Sequence, residues 1–189
     1  MPSVAQSPSE MDGFGAYGKI PSLGDFFRIN APRSFCAPWD AWLQSLLTST
    51  RDALGARWEA CYMSAPIWRF ALAPGVAGPD AAVGILMPSI DRVGRAFPLT
   101  LVRVGAGGEP DYPALEDIAL NALDDTMSKE QLRQLLAELQ QSTSPSHQRN
   151  KAWWCAVLEG KTLDFETAAL PQGNEALHLF DPQNVEVRA

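Results

Sequence analysis

The stretch Ala81–Val104, AAVGILMPSIDRVGRAFPLTLVRV, decides the fold. Its first part, Ala81 to Met87, is apolar without alternation, as in a strand with layers above and below it. Its last part, Phe97 to Val104, is rich in β-branched and apolar residues and reads as a second strand. Pro88 to Ala96 joins the two and is short enough for an antiparallel hairpin. Just upstream, Ile67 to Ala73 places Trp68, Phe70 and Leu72 on one face of a third strand.

Working outward, Phe14 to Lys19 reads as a short strand and Pro21 to Phe26 as a turn. Phe35, Trp39, Trp42, Leu43, Leu46 and Leu47 follow helical spacing, which predicts a helix from about Phe35 to Leu54 with Gly55 as its stop. A shorter helical piece, Arg57 to Met63, ends before Pro66. Asp111 and Pro113 open a helix with Leu115, Ile118, Ala119, Ala122 and Leu123 on one stripe. Ser128-Lys129-Glu130-Gln131 fits a capping box before Leu132, Leu135, Leu136 and Leu139. A polar loop, Ser142 to Asn150, precedes a strand from Ala152 to Leu158, and short edge strands are expected near Phe165 to Leu170 and Leu177 to Phe180. Helices beside a strand apolar on both faces imply helix–sheet–helix layers. The expected fold class is therefore α/β: a single-domain three-layer α/β/α sandwich, residues 14–189, around a central, at least partly antiparallel sheet. A disordered polar tail, residues 1–13, is expected before it.

The composition excludes several functions. The chain has 189 residues, 46% hydrophobic and 20% charged, which is that of a folded protein. A net charge of −7 argues against a general nucleic-acid binder, which needs surplus cations to displace counterions. No apolar run approaches the ~20 residues of a membrane span, so no membrane insertion is expected. The first twelve residues lack the basic start and apolar stretch of a signal peptide, so a cytoplasmic location is expected. Cys36, Cys61 and Cys155 are widely spaced in apolar neighbourhoods and read as buried reduced thiols, with no C-x-x-C to suggest a metal. Residues 109–141 hold eight acids against two bases, nearly all of the net charge. They read as the solvated face of two helices, or as an acidic face for a basic partner.

Catalytic motifs fail on context. Gly13, Gly15 and Gly18 fit G-x-G-x-x-G, but a polar tail precedes them and Pro21 blocks the helix that a dinucleotide site needs. Gly160-Lys161-Thr162 resembles the end of a P-loop, but Cys155 stands where its first glycine belongs. His147, in a polar loop, and His178, near the C-terminus, do not stand in the sequence patterns of a triad or a zinc site. No catalytic residue, metal or cofactor is assigned. Two clusters remain: Pro21 to Arg28, a tight turn with Asp25 beside aromatics, and Met87 to Pro98, where Asp91, Arg92 and Arg95 gather charge in a hairpin loop. The two guanidiniums either pair with Asp25 and Asp91 to pin the loops together, or form a recognition surface that holds a phosphate or a partner carboxylate in a fork, or serve catalysis.

These clusters carry a resemblance. Tyr17-Gly18-Lys19-Ile20-Pro21-Ser22-Leu23-Gly24-Asp25-Phe26, Pro38-Trp39-Asp40, Pro66-Ile67-Trp68-Arg69-Phe70 and the Ser-x-Asp-Arg-Val-Gly-Arg-x-Phe-Pro-Leu run ending at Leu99 are similar to the bacterial TagF family, also called ImpM, of type VI secretion-associated proteins. The Trp153-Trp154 pair is similar to that family's later tryptophan pair. The resemblance covers about Phe14 to Leu158. It implies a cytoplasmic, non-catalytic, post-translational repressor of type VI secretion system assembly or firing. It also implies a protein partner, the forkhead-associated scaffold protein of the same system, and the three-layer fold. Aromatic and arginine anchors are the usual energetic centres of interfaces. The partner-binding surface is therefore expected around Ser22, Gly24, Asp25, Phe26, Ser89, Asp91, Arg92 and Arg95, with Trp68 and Arg69 in support. Two alternatives stand beside it. One is a small-ligand or phosphate-sensing domain, or a cryptic hydrolase, using Asp25, Asp91, Arg92 and Arg95. The other places recognition on the acidic helices, around Asp124 and Asp125.

Overall fold

The computed structural model describes residues 13–105, 107–139 and 150–184; the expected tail up to Asp12 and nearly all of the polar loop at 142–150 lie outside them. In chain order the elements are β1 (Gly15–Gly18), β2 (Phe27–Ile29), α1 (Arg33–Leu54), a 3-10 turn (Gly55–Arg57), α2 (Trp58–Ser64), β3 (Trp68–Leu72), β4 (Ala82–Met87), β5 (Leu99–Val104), α3 (Tyr112–Asn121), α4 (Lys129–Glu138), β6 (Ala152–Leu158), β7 (Lys161–Thr167) and α5 (Asn174–Phe180). The strands form one seven-stranded sheet in the order β2-β1-β5-β4-β3-β6-β7. Every neighbouring pair is antiparallel. The expected hairpin is the β4–β5 pair, in register from Met87 opposite Leu99 to Ala82 opposite Val104.

Strand residues alternate between faces, and in the central strands β4 and β5 both faces are buried. Trp68, Phe70, Leu72, Leu86, Trp154 and Phe165 join a cluster with Phe35, Trp39, Trp42, Leu43 and Leu46 of α1, Tyr62 of α2, and Leu179 and Phe180 of α5. Ile85, Met87, Leu99 and Leu101 join a second cluster with Leu115, Ile118 and Ala119 of α3 and Leu132 and Leu136 of α4. Most of the buried indoles find acceptors, although Trp154 Nε1 has none among the described residues: Trp39 Nε1 donates to Thr100 Oγ1 at 2.8 Å, Trp42 Nε1 to the Pro171 carbonyl at 2.9 Å and Trp68 Nε1 to the Leu179 carbonyl at 2.8 Å. Without them each buried N–H would cost about 1–3 kcal/mol. Gly84 makes room where the sheet is tightest, since a Cβ there would stand 2.0 Å from the Leu101 carbonyl oxygen and 3.0 Å from Cζ of Phe70.

Several expectations are met and several corrected. α1 begins two residues before Phe35 and stops at Gly55. The capping box is formed in both directions, Gln131 N donating to Ser128 Oγ at 3.1 Å and Ser128 N to Gln131 Oε1 at 2.8 Å. Leu177 to Phe180 is helix, not edge strand: it is the end of α5, with Leu177 N donating to the Gly173 carbonyl at 3.0 Å. The expected strand at Phe165 to Leu170 starts earlier, at Lys161, and ends at Thr167. Glu159 (φ 51) and Gly160 (φ 76) form the two-residue turn between β6 and β7, both in the left-handed region that such hairpins require. Leu123 lies past the end of α3 and is exposed. All three cysteines are free, Cys36 and Cys155 buried and Cys61 only partly so.

Candidate functional site

Both loop clusters meet at one end of the sheet. β1 ends at Gly18, whose φ of 131 lies outside the range of ordinary side chains and whose Cβ would stand 2.1 Å from the Pro98 carbonyl oxygen. This close approach delivers Lys19 beneath the β4–β5 loop. Lys19 is buried, and its Nζ donates to Asp91 Oδ2 at 3.0 Å. Arg95 Nε donates to the same oxygen at 2.6 Å, while Val93 N and Arg95 N donate to Oδ1 at 3.1 and 2.9 Å. Burial alone would raise the Asp91 pKa; the Arg95 backbone N–H, Lys19, the Arg95 guanidinium and the Val93 N–H together hold it well below the usual carboxylate range. The carboxylate therefore stays ionised and organises its own loop.

The second loop is tied to the first by backbone and guanidinium. Arg92 N donates to the Leu23 carbonyl at 3.0 Å, and Arg95 Nη2 to the Gly24 carbonyl at 2.8 Å. Phe26 closes the joint, edge-on to Phe97 at 4.6 Å, with Lys19 Nζ 4.7 Å above its ring. From α2, Tyr62 OH donates to the Ser89 carbonyl at 2.7 Å and accepts from Ser89 N at 3.1 Å. Ser89 is buried, and its Oγ and that of Ser22 have no hydrogen-bond partner among the described residues.

Of the expected guanidinium–carboxylate pairs, only Arg95 with Asp91 forms. Asp25 takes no part, its carboxylate accepting from Phe26 N at 2.8 Å, and the Arg92 side chain forms no ion pair among the described residues. Arg92 and Gly94 are exposed, Val93 is 71% exposed and Phe26 46%. The outer surface thus carries the unpaired Arg92 guanidinium and two apolar side chains on a braced loop pair, with Asp25 and the outer part of Arg95 beside them. A two-guanidinium phosphate fork is not formed, because Arg95 is held by Asp91 and Gly24.

Trp68 and Arg69 are corrected as supports of this surface. Trp68 is 2% exposed and belongs to the core. Arg69 projects from the other face of β3 and forms a two-pronged pair with Glu116 of α3, at 2.6 and 3.0 Å. Sequence reasoning missed Lys19 and Tyr62. A lysine directly after a buried strand was a signal for the first; nothing near Tyr62 marked the second.

Residues 15–139 match the family of the TagF N-terminal domain, described as type VI secretion system-associated. The crystal structure of PA0076 from Pseudomonas aeruginosa PAO1 is similar over 93% of this chain and 97% of its own, with a TM-score of 0.79 at 29% sequence identity. No curated protein sequence matches the chain.

Proposed function

From the premise that the chain belongs to the type VI secretion-associated TagF family, we propose that it is a non-catalytic regulator that represses assembly or firing of the secretion machine by covering a surface of a cytoplasmic scaffold, the forkhead-associated protein. One observation carries this reading: the charged groups nearest to a reactive constellation, Asp91, Lys19 and Arg95, are consumed in bracing two loops, and the exposed residues not used in the bracing include Phe26, Arg92 and Val93, with Asp25 beside them. A braced loop pair loses little conformational freedom on docking, so its apolar and guanidinium contacts convert efficiently into affinity. Binding one state of a scaffold is enough to withdraw it by mass action. The same reading takes residues 14–189 as one three-layer domain, supported by the two apolar clusters that share the sheet but draw on different helices. It takes the location as cytoplasmic, supported by the lack of any helix among the described residues long and apolar enough to cross a membrane.

The test is the double variant Arg92→Ala/Val93→Ala, assayed for co-purification with the forkhead-associated protein and for secretion in cells. Both side chains are exposed, so the melting temperature should move by no more than about 2 °C. Co-purification should fall at least about tenfold, a usual loss for paired interface anchors, and secretion should rise. Full retention of scaffold binding and repression by a folded variant refutes the reading.

A further inference from the structure

Phe26 also forms one wall of an open groove of about 520 Å³ between the β1–β2 edge and the start of α1. Tyr17 and Arg28 are cross-strand partners in β1 and β2 and so present to the same face. α1 supplies Arg33, Cys36 and Asp40 opposite them. The one carboxylate lining the groove is engaged by neutral donors: Asp40 Oδ1 accepts from Tyr17 OH at 2.5 Å and Oδ2 from Gln44 Nε2 at 2.6 Å. Burial, and then the bond to Asp40, raises the Tyr17 pKa, so the phenol remains the donor. Burial pushes the Cys36 thiol up against the opposing pull of Arg28, so the thiol is neutral near pH 7 and gives Arg28 no anion. Arg28 and Arg33 are exposed, and neither forms an ion pair among the described residues. The groove thus joins an aromatic wall to two exposed guanidiniums, that of Arg28 hydrogen-bonded to the neutral Cys36 thiol, and a net positive charge. It also borders β2, the terminal strand of the sheet.

We propose that this groove docks an acidic segment of a partner protein, its carboxylates taken by Arg28 and Arg33 and one of its apolar side chains set against Phe26 and Tyr17. The inference rests on the regulatory reading in one respect, that the surroundings of Phe26 dock a protein, and adds the chemistry of what docks. Planar guanidiniums that meet carboxylates in two-pronged pairs are suited to such a segment, and an apolar anchor supplies the desolvated centre that rim charges alone lack.

The test uses the full chain and three fluorescein-labelled twelve-residue probes. One is a run of Glu around a single Leu-Trp pair; in the others Gln or Lys replaces every Glu. Fluorescence anisotropy at low salt should show binding of the Glu probe, at least about tenfold weaker binding of the Gln and Lys probes, and loss of Glu-probe affinity as salt rises. Arg28→Glu/Arg33→Glu should weaken the Glu probe at least about tenfold with the melting temperature nearly unchanged, and Lys151→Glu, away from the groove, should change it less than about twofold. Equal affinity for the Glu and Gln probes overturns the proposal, as do no Glu-probe binding at millimolar protein, an unaffected Arg28→Glu/Arg33→Glu variant, and displacement by inorganic phosphate well beyond that caused by an inert salt at the same ionic strength. The two readings fail separately. Groove variants that keep the Glu probe while Arg92→Ala/Val93→Ala still relieves repression fault the groove alone. A groove that passes these tests while Arg92→Ala/Val93→Ala leaves repression intact faults the regulatory reading alone.

Discussion

Asp91 decides whether the two loops hold one shape. Its side chain is fully buried and faces Lys19, which is nearly so, and Arg95, whose side chain is 60% exposed. Breaking a buried pair leaves an uncompensated charge and typically costs about 3–5 kcal/mol, whereas the solvent-screened Arg95 share is worth little. Asp91→Asn should therefore lower the melting temperature on the order of 10 °C for a chain this size. The pH dependence has a definite sign. The native pKa of Asp91 lies below its unfolded value of about 3.9, so its contribution is complete above that value and is lost as pH falls through the native one. Thermal melts of wild type and Asp91→Asn should show a constant gap from about pH 5 to 8 and a narrowing gap below about pH 4. A gap undiminished at about pH 2.5 would show that the ionised carboxylate is not what stabilises the joint.

At the level of elements, legibility followed periodicity and local chemistry. The Ser128–Gln131 box is wholly local, so the start of α4 was readable from four residues, and Ser128→Ala should cost about 1 kcal/mol, or about 2–4 °C in melting temperature, by circular dichroism. A variant within 0.5 °C of wild type would mean that packing of Leu132 and Leu136 alone sets that helix end. The four residues Leu177 to Phe180 carry no period long enough to separate strand from helix; the Gly173 carbonyl and the fit of Ala176, Leu179 and Phe180 into the core decide for helix. In β7 only Phe165 and Thr167 are buried, so its first half carries a single partly buried apolar residue, Leu163, and its extent is set by pairing with β6. The two loop clusters stood out as charge and turn residues between apolar strands. Their wiring did not, because Lys19 meets Asp91 across 72 positions and Arg69 meets Glu116 across 47. The alternation of β3 put Trp68 and Arg69 on opposite faces but did not say that α3 covers the second. That is why two residues that looked like surface anchors serve the interior.

Across the whole molecule, the two apolar clusters share a single sheet, and this makes their stabilities one quantity. Leu86 faces the tryptophan-rich cluster while its neighbours Ile85 and Met87 face the cluster under α3 and α4. β4 therefore cannot leave one side without exposing the other. Five of the six tryptophans, Trp39, Trp42, Trp58, Trp68 and Trp154, belong to the first cluster, so fluorescence reports that side, whereas circular dichroism reports all helices. Leu115 is fully buried in the second cluster, and Leu115→Ala should cost about 2–5 kcal/mol through lost burial and the cavity left behind. If the sheet couples the two sides, this substitution lowers the fluorescence and dichroism midpoints together, and the two transitions stay superimposed as in wild type. A variant whose dichroism melts in two steps, with the fluorescence midpoint unmoved, would instead show that the helices on the two faces unfold as separate units.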